Sequence, residues 1–110
     1  MLKMDLEYVQ GILFVRLKGK LLNRNTYKVF NYLNPIIKKH NIKYLVYNLN
    51  YLSGIDETGI DAILSTKCTI KKQKGKIYLC KVNKAILLNL KRLHIKNISS
   101  EEAALKMIEV

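Results

Sequence analysis

Hydrophobic and polar residues alternate along this chain in two rhythms, one suited to strands and one to helices. Leu6 to Gln10 alternates weakly as a first strand does, and Gly11 marks a turn. Ile12-Leu-Phe-Val-Arg-Leu17 is rich in β-formers and bounded by Gly19, which predicts a second strand. Behind the cap-type residues Asn23 to Asn25, the segment from Thr26 to His40 carries Val29, Phe30, Leu33, Ile36 and Ile37 at helical spacing. Pro35 falls inside it and removes one helical hydrogen bond, so a kink or a division into two short helices is expected. Tyr44 to Leu49 reads as a strand buried on both faces at its start, followed by a short polar loop. From Thr58 to about Lys74 a helix is expected, with Ile60, Ile63, Leu64, Cys68 and Ile70 on one side and Gly75 as its C-cap. Lys67 falls near the middle of that apolar side, where its stem would have to snorkel to the edge.

Lys76 to Cys80 predicts another strand. Asn83 is placed to cap a helix through Leu93, with Ala85, Ile86, Leu87, Leu90 and Leu93 apolar. Asn97-Ile98 is a short edge strand, and Ser99-Ser-Glu-Glu102 is a capping-box pattern opening a last helix with Ala104, Leu105 and Ile108. Strands alternating with helices predict an α/β domain. Its mixed, mainly parallel sheet would have four to five strands, an N-terminal antiparallel hairpin and about four helices. In such sheets function gathers at the carboxyl ends of the strands, where the Ser53–Thr58 loop lies.

At 110 residues and 49% hydrophobic, the chain is one small domain with enough apolar residues for a core. It has no apolar run long enough to span a membrane and no signal-peptide core at its N-terminus, which predicts a cytoplasmic protein. Cys68 and Cys80 read as free buried thiols, and two cysteines with two scattered histidines are too few for a zinc site. The net charge is +12, divided as +5 over residues 1–60, +9 over residues 61–98 and −2 over residues 99–110. Lysines outnumber arginines 17 to 3 and few aromatics interleave the basic stretch, so a solvated surface is favoured over nucleic-acid recognition.

Candidate chemistry concentrates in Ser53-Gly-Ile-Asp56-Glu57-Thr58-Gly59-Ile60. A helix N-terminus carries unpaired N–H groups and partial positive charge, so an anion is well placed there. Asp56 and Glu57 are adjacent and have no His or Lys partner nearby in sequence, which disfavours an acid–base pair. Thr58 reads first as the helix N-cap, and Gly59 as a site of close packing. His40 and His94 sit at expected helix ends with no nucleophile beside them. No glycine-rich phosphate loop, Cys-x-x-Cys, His-Glu-x-x-His or serine-elbow motif occurs, and the chain reads as a non-enzyme needing no cofactor or metal.

Val46-Tyr47-Asn48-Leu49, Leu52-Ser53, Gly54-Ile55 and Asp56-Glu57-Thr58-Gly59-Ile60 resemble the switch loop of the anti-sigma-factor antagonists, a group within the STAS domain family. Val15-Arg16-Leu17-Lys18-Gly19 is similar to the family's second strand and Ile77-Tyr78-Leu79-Cys80 to its fourth, so the likeness extends over nearly all of residues 1–110. The resemblance implies a module that binds an anti-sigma factor of the serine-kinase kind, with ATP bound by that partner. Ser53, Asp56, Glu57, Thr58 and Gly59, with Asp61, Ser65 and Thr66 on the following helix, would form the contact. In the family the residue after the aspartate is the phosphorylated serine, and here it is Glu57. A carboxylate has no hydroxyl and carries permanent charge, a partial imitation of phosphoserine. Two alternatives stay open: the switch has moved to Thr58, or the chain is not switched by phosphate. A non-switched scaffold subunit and a basic binder of nucleic acid or anionic surfaces are the competing readings. The sequence does not fix an oligomeric state.

Overall fold

A computed structural model describes residues 1–108. Five strands form one sheet in the order β1 (Leu2–Val9), β2 (Ile12–Leu21), β3 (Tyr44–Ile55), β4 (Lys76–Cys80) and β5 (Lys96–Ile98). β1 and β2 are antiparallel; every other neighbouring pair is parallel. The hairpin turns at Gln10 and Gly11, whose φ values of 51° and 84° suit the tight turns that match strand twist. Leu13, Val15 and Leu17 of β2 point into the main core, while Ile12 and Phe14 point into a smaller core on the opposite face. A strand covered on both sides explains the near-continuous apolar run.

The first helical region changes its turn at Pro35 without a gap in the helix. Lys28–Leu33 runs in wide π-type turns, with the Asn34 N–H donating to the Val29 carbonyl, and α1 (Asn34–Lys39) then follows with the proline in its first turn. Phe30, expected on the apolar side, is exposed. α2 (Glu57–Lys72) packs beside α1 on the main core, and the segment 84–93 completes that layer. This last segment is not the single helix expected: two tight 3₁₀ turns flank a four-residue α3 (Leu87–Leu90). Asn83 does cap its start, accepting from the Ala85 N–H, but Leu87 faces solvent.

Two local expectations are corrected, and that for Lys67 is borne out. Gly75 is not the C-cap of α2; Gln73 is, and Lys74 takes the left-handed conformation at φ 62°. Gly75 is instead required for space, since a Cβ there would lie 2.8 Å from the Lys43 carbonyl carbon and closer still to its oxygen. Cys68 is exposed rather than buried; Cys80 is buried, and desolvation pushes its thiol up to about 11. Lys67 escapes the apolar side by donating from Nζ to the carbonyls of Leu93 (2.8 Å) and His94 (3.2 Å), at the end of the segment 84–93. A lysine at such an end satisfies orphan carbonyls.

α4 (Glu101–Met107) lies alone on the second face, opened by Ser100, whose hydroxyl accepts from the Ala103 N–H; the cap falls one residue later than Ser99. It is anchored by Glu101, whose carboxylate accepts from Arg16 Nε (2.8 Å) and Nη2 (2.7 Å) and from Asn48 Nδ2 (2.9 Å). Arg16 also meets Asp5 and Glu7. The bonds from Arg16, helped by Asn48 and opposed by partial burial, hold the Glu101 carboxyl below its ordinary range. A carboxyl lowered on folding adds stability that is complete above its unfolded value of about 4.3 and lost as pH falls below it. Urea unfolding of Glu101→Gln at neutral pH should show a loss of about 1–2 kcal/mol, the worth of charged hydrogen bonds partly open to solvent. The acid-side decline of the wild type should be shallower in the variant. An unchanged acid limb would contradict this anchoring role.

Candidate functional site

β3 does not end at Leu49. It continues to Ile55 because the end of β2 continues beside it, with Lys18 opposite Tyr51 and Leu21 opposite Ile55 after two register shifts. The expected Ser53–Thr58 loop is therefore strand up to Ile55, and the connection to α2 narrows to Asp56. Ser53 is exposed and donates to the Gly19 carbonyl (3.2 Å).

Asp56, not Thr58, is the N-cap of α2, with extended backbone (φ −107°, ψ −175°). Its Oδ1 accepts from the Gly59 N–H (2.9 Å) and the Thr58 hydroxyl (2.8 Å), and its Oδ2 accepts from the Asn23 N–H (2.9 Å). One carboxylate thus closes the helix start and ties it to the turn after β2. That turn is shaped by buried Asn25, which bonds the Leu22 N–H and the Lys20 carbonyl. Desolvation works against ionisation of Asp56, but the N–H groups of Gly59 and Asn23 and the Thr58 hydroxyl outweigh it and hold the carboxyl below its usual range. An N-cap of this kind is worth about 1 kcal/mol.

With Asp56 turned inward, Glu57 is the carboxylate the corner presents, its side chain 77% exposed. Arg92, just beyond α3, places Nη2 at 3.0 Å from both Glu57 oxygens. Asp61 is exposed one turn further along α2. Gly59 is buried where a Cβ would come within 2.7 Å of Ile55 Cγ1 and closer to the Leu21 carbonyl oxygen.

The polar face expected at Asp61, Ser65 and Thr66 is not continuous. Ser65 donates to the Ala62 carbonyl (2.6 Å) and accepts from Asn34 Nδ2 (2.9 Å), which turns it toward α1. Thr66 is fully buried: it donates to the Ile63 carbonyl (2.7 Å), so the Tyr47 hydroxyl donates to it (2.8 Å). The structure therefore brings Asp56, Glu57, Thr58 and Asp61 to one corner and takes Ser65 and Thr66 into the packing. Sequence reasoning missed Asn23 and Arg92. Both meet the corner across more than thirty residues, and neither belongs to a motif.

Among the described residues no group of three or more His, Cys, Asp or Glu is arranged to hold a metal, and no helix is long and apolar enough to cross a membrane. Exposed Leu87 and Leu88 lie in α3, next to the turn that carries Arg92.

Comparison with known proteins bears on the family and the fold. The STAS domain family matches residues 3–106. An anti-sigma F factor antagonist of Paenibacillus polymyxa is 28% identical over 82 residues, covering 74% of this chain and 70% of the relative. The unphosphorylated form of the anti-sigma factor antagonist SpoIIAA has the same fold, with a TM-score of 0.79 at 18% identity over 94% of this chain and 96% of that one. Phosphorylated SpoIIAA of Bacillus gives 0.77 at 16% identity over 96% and 100% of the two chains. A serine-to-glutamate variant of RsbS from Moorella thermoacetica gives 0.78 at 14% identity over 94% and 92%. A family match over nearly the whole chain, on a five-stranded mixed sheet of the SpoIIAA kind, establishes that this chain belongs to the STAS domain family.

Proposed function

We propose that this chain is an antagonist-like binding module that engages an anti-sigma factor of the serine-kinase kind through the Asp56–Gly59 corner and the exposed start of α2. The chain catalyses nothing; ATP belongs to the partner, and the complex forms in the cytoplasm. The observation that carries this reading is the division of labour at the corner. Asp56 is consumed in building the helix start, which leaves Glu57 facing outward, and the resemblance aligns Glu57 with the family's phosphorylated serine.

Glu57 acts as a fixed, partly offset imitation of the phosphorylated state. It carries one negative charge against about −1.5 to −2 for phosphoserine, and Arg92 neutralises part of that. Thr58 serves the cap. Its hydroxyl is donated to Asp56, and a phosphate there would stand beside that carboxylate. Leu87 and Leu88 supply apolar area for the partner beside the charged corner.

The test is to incubate the chain with ATP and purified serine-kinase anti-sigma factors from the same genome, then to measure complex formation by calorimetry and modification by mass spectrometry. A weak complex with at least one kinase is expected, with no phosphate on Thr58. Stoichiometric phosphate on Thr58 with release of the complex would show a working switch displaced by one residue. Absence of any complex would favour a non-switched scaffold.

A further inference from the structure

Far from this corner, a cavity of about 300 Å³ opens between the second half of α2, the start of β4 and the turn leading into β5. Lys67, Lys71, Lys76, Lys96 and His94 line it, and no acidic residue does. Lys67 is fixed by its bonds to the Leu93 and His94 carbonyls. Among the described residues the ion pairs involve Arg16 and Arg92, so Lys71, Lys76 and Lys96 reach the cavity with no carboxylate partner. Ile77 and Ile95 add an apolar portion. Like charges gathered around one concavity repel one another and raise the local potential for an anion.

We propose that this cavity binds a phosphate-monoester dianion, with Lys71, Lys76 and Lys96 on the phosphate oxygens and Ile77 and Ile95 against the apolar remainder. Lysine suits this role as a compact point charge. The volume lies at the lower end of small-ligand sites, which fits a single head group. The lining holds no Phe or Trp, and its one tyrosine, Tyr78, is buried, so successive bases of a nucleic-acid strand find no row of exposed rings to stack on. Lys71 lies fourteen residues beyond Glu57 on α2, roughly 20 Å along the helix axis, so this phosphate ligand stands apart from the proposed partner-binding corner.

Two sources share this chemistry, a free metabolite and a lipid head group, and two probes separate them. Calorimetry and amide chemical shifts would follow glycerol 3-phosphate binding to the full chain at physiological ionic strength. Sedimentation would follow binding to phosphatidic acid vesicles, with phosphatidylglycerol vesicles as the diester control. The variant Lys71→Gln/Lys76→Gln/Lys96→Gln is compared with Lys38→Gln/Lys39→Gln/Lys106→Gln, which removes equal charge from exposed lysines elsewhere. Saturable binding to at least one monoester probe is expected, weakened about tenfold or more in the cavity variant and less than about threefold in the control. Binding to one probe alone identifies the source. The proposal is overturned by no saturable binding to either probe, by equal loss in the two variants, or by equal binding to the monoester and diester vesicles.

Discussion

Replacing Gly59 by valine should unfold this protein at markedly lower urea, with a loss of about 3 kcal/mol or more. The reason is space rather than backbone freedom. A Cβ at Gly59 would press on the Leu21 carbonyl oxygen and stand 2.7 Å from Ile55 Cγ1. The carbonyl cannot retreat, because it accepts the Asp56 N–H across the β2–β3 junction. The first turn of α2 would have to lift away, which would break the Gly59 N–H bond to Asp56 and disturb the packing of Ile60 and Ile63. A domain of this size has a total stability of about 5–15 kcal/mol, so such a loss is a large share of it. Asp61→Ala, on the exposed side of the same helix, should stay within about 0.5 kcal/mol of wild type. A Gly59→Val variant as stable as Asp61→Ala would show that the helix start is not packed this tightly.

The second large effect is on binding. Glu57→Ser removes a permanent charge from the outward corner, introduces a hydroxyl where the proposed function places the family's phosphorylated serine, and releases Arg92. The Glu57–Arg92 pair is exposed on both sides, so its loss should change stability by less than about 0.5 kcal/mol. Affinity for the proposed kinase partner should rise about tenfold, equivalent to about 1.4 kcal/mol. Because stability and affinity respond so differently, the variant reports on the contact itself.

Much of this architecture is written in local pattern. The β2 and β4 runs, the apolar spacing of Ile60, Ile63 and Ile70, the Gly11 turn and the change of helical turn at Pro35 each rest on neighbours in sequence, and each appears where the pattern places it. The extension of β3 was hidden because Asn50, Ser53 and Gly54 are residues typical of a loop. Only the parallel partner Lys18–Leu21 makes it a strand. The choice of Asp56 over Thr58 as cap was equally illegible. Both residue types cap helices well, and Asp56, which accepts the capping bond from the Gly59 N–H, is held also by the backbone of Asn23, thirty-three residues away. Lys67 looked misplaced until its carbonyl acceptors were supplied by the turn at Leu93 and His94. Ser65 and Thr66 looked like surface because their partners, Asn34 and Tyr47, lie on other elements. The resemblance singled out the segment Ser53 to Gly59 as the candidate. Which side chains build it and which one faces outward came only from contacts between distant segments.

The most direct test is calorimetric titration of wild type and Glu57→Ser into serine-kinase anti-sigma factors from the same genome, with ATP and with a non-hydrolysable analogue. With the analogue, Glu57→Ser is expected to bind about tenfold more tightly than wild type. With ATP, the introduced serine is expected to take up phosphate and the complex to weaken, while wild type remains unmodified. Failure of both proteins to bind any such kinase would contradict the antagonist reading and leave this corner as a structural cap on a scaffold.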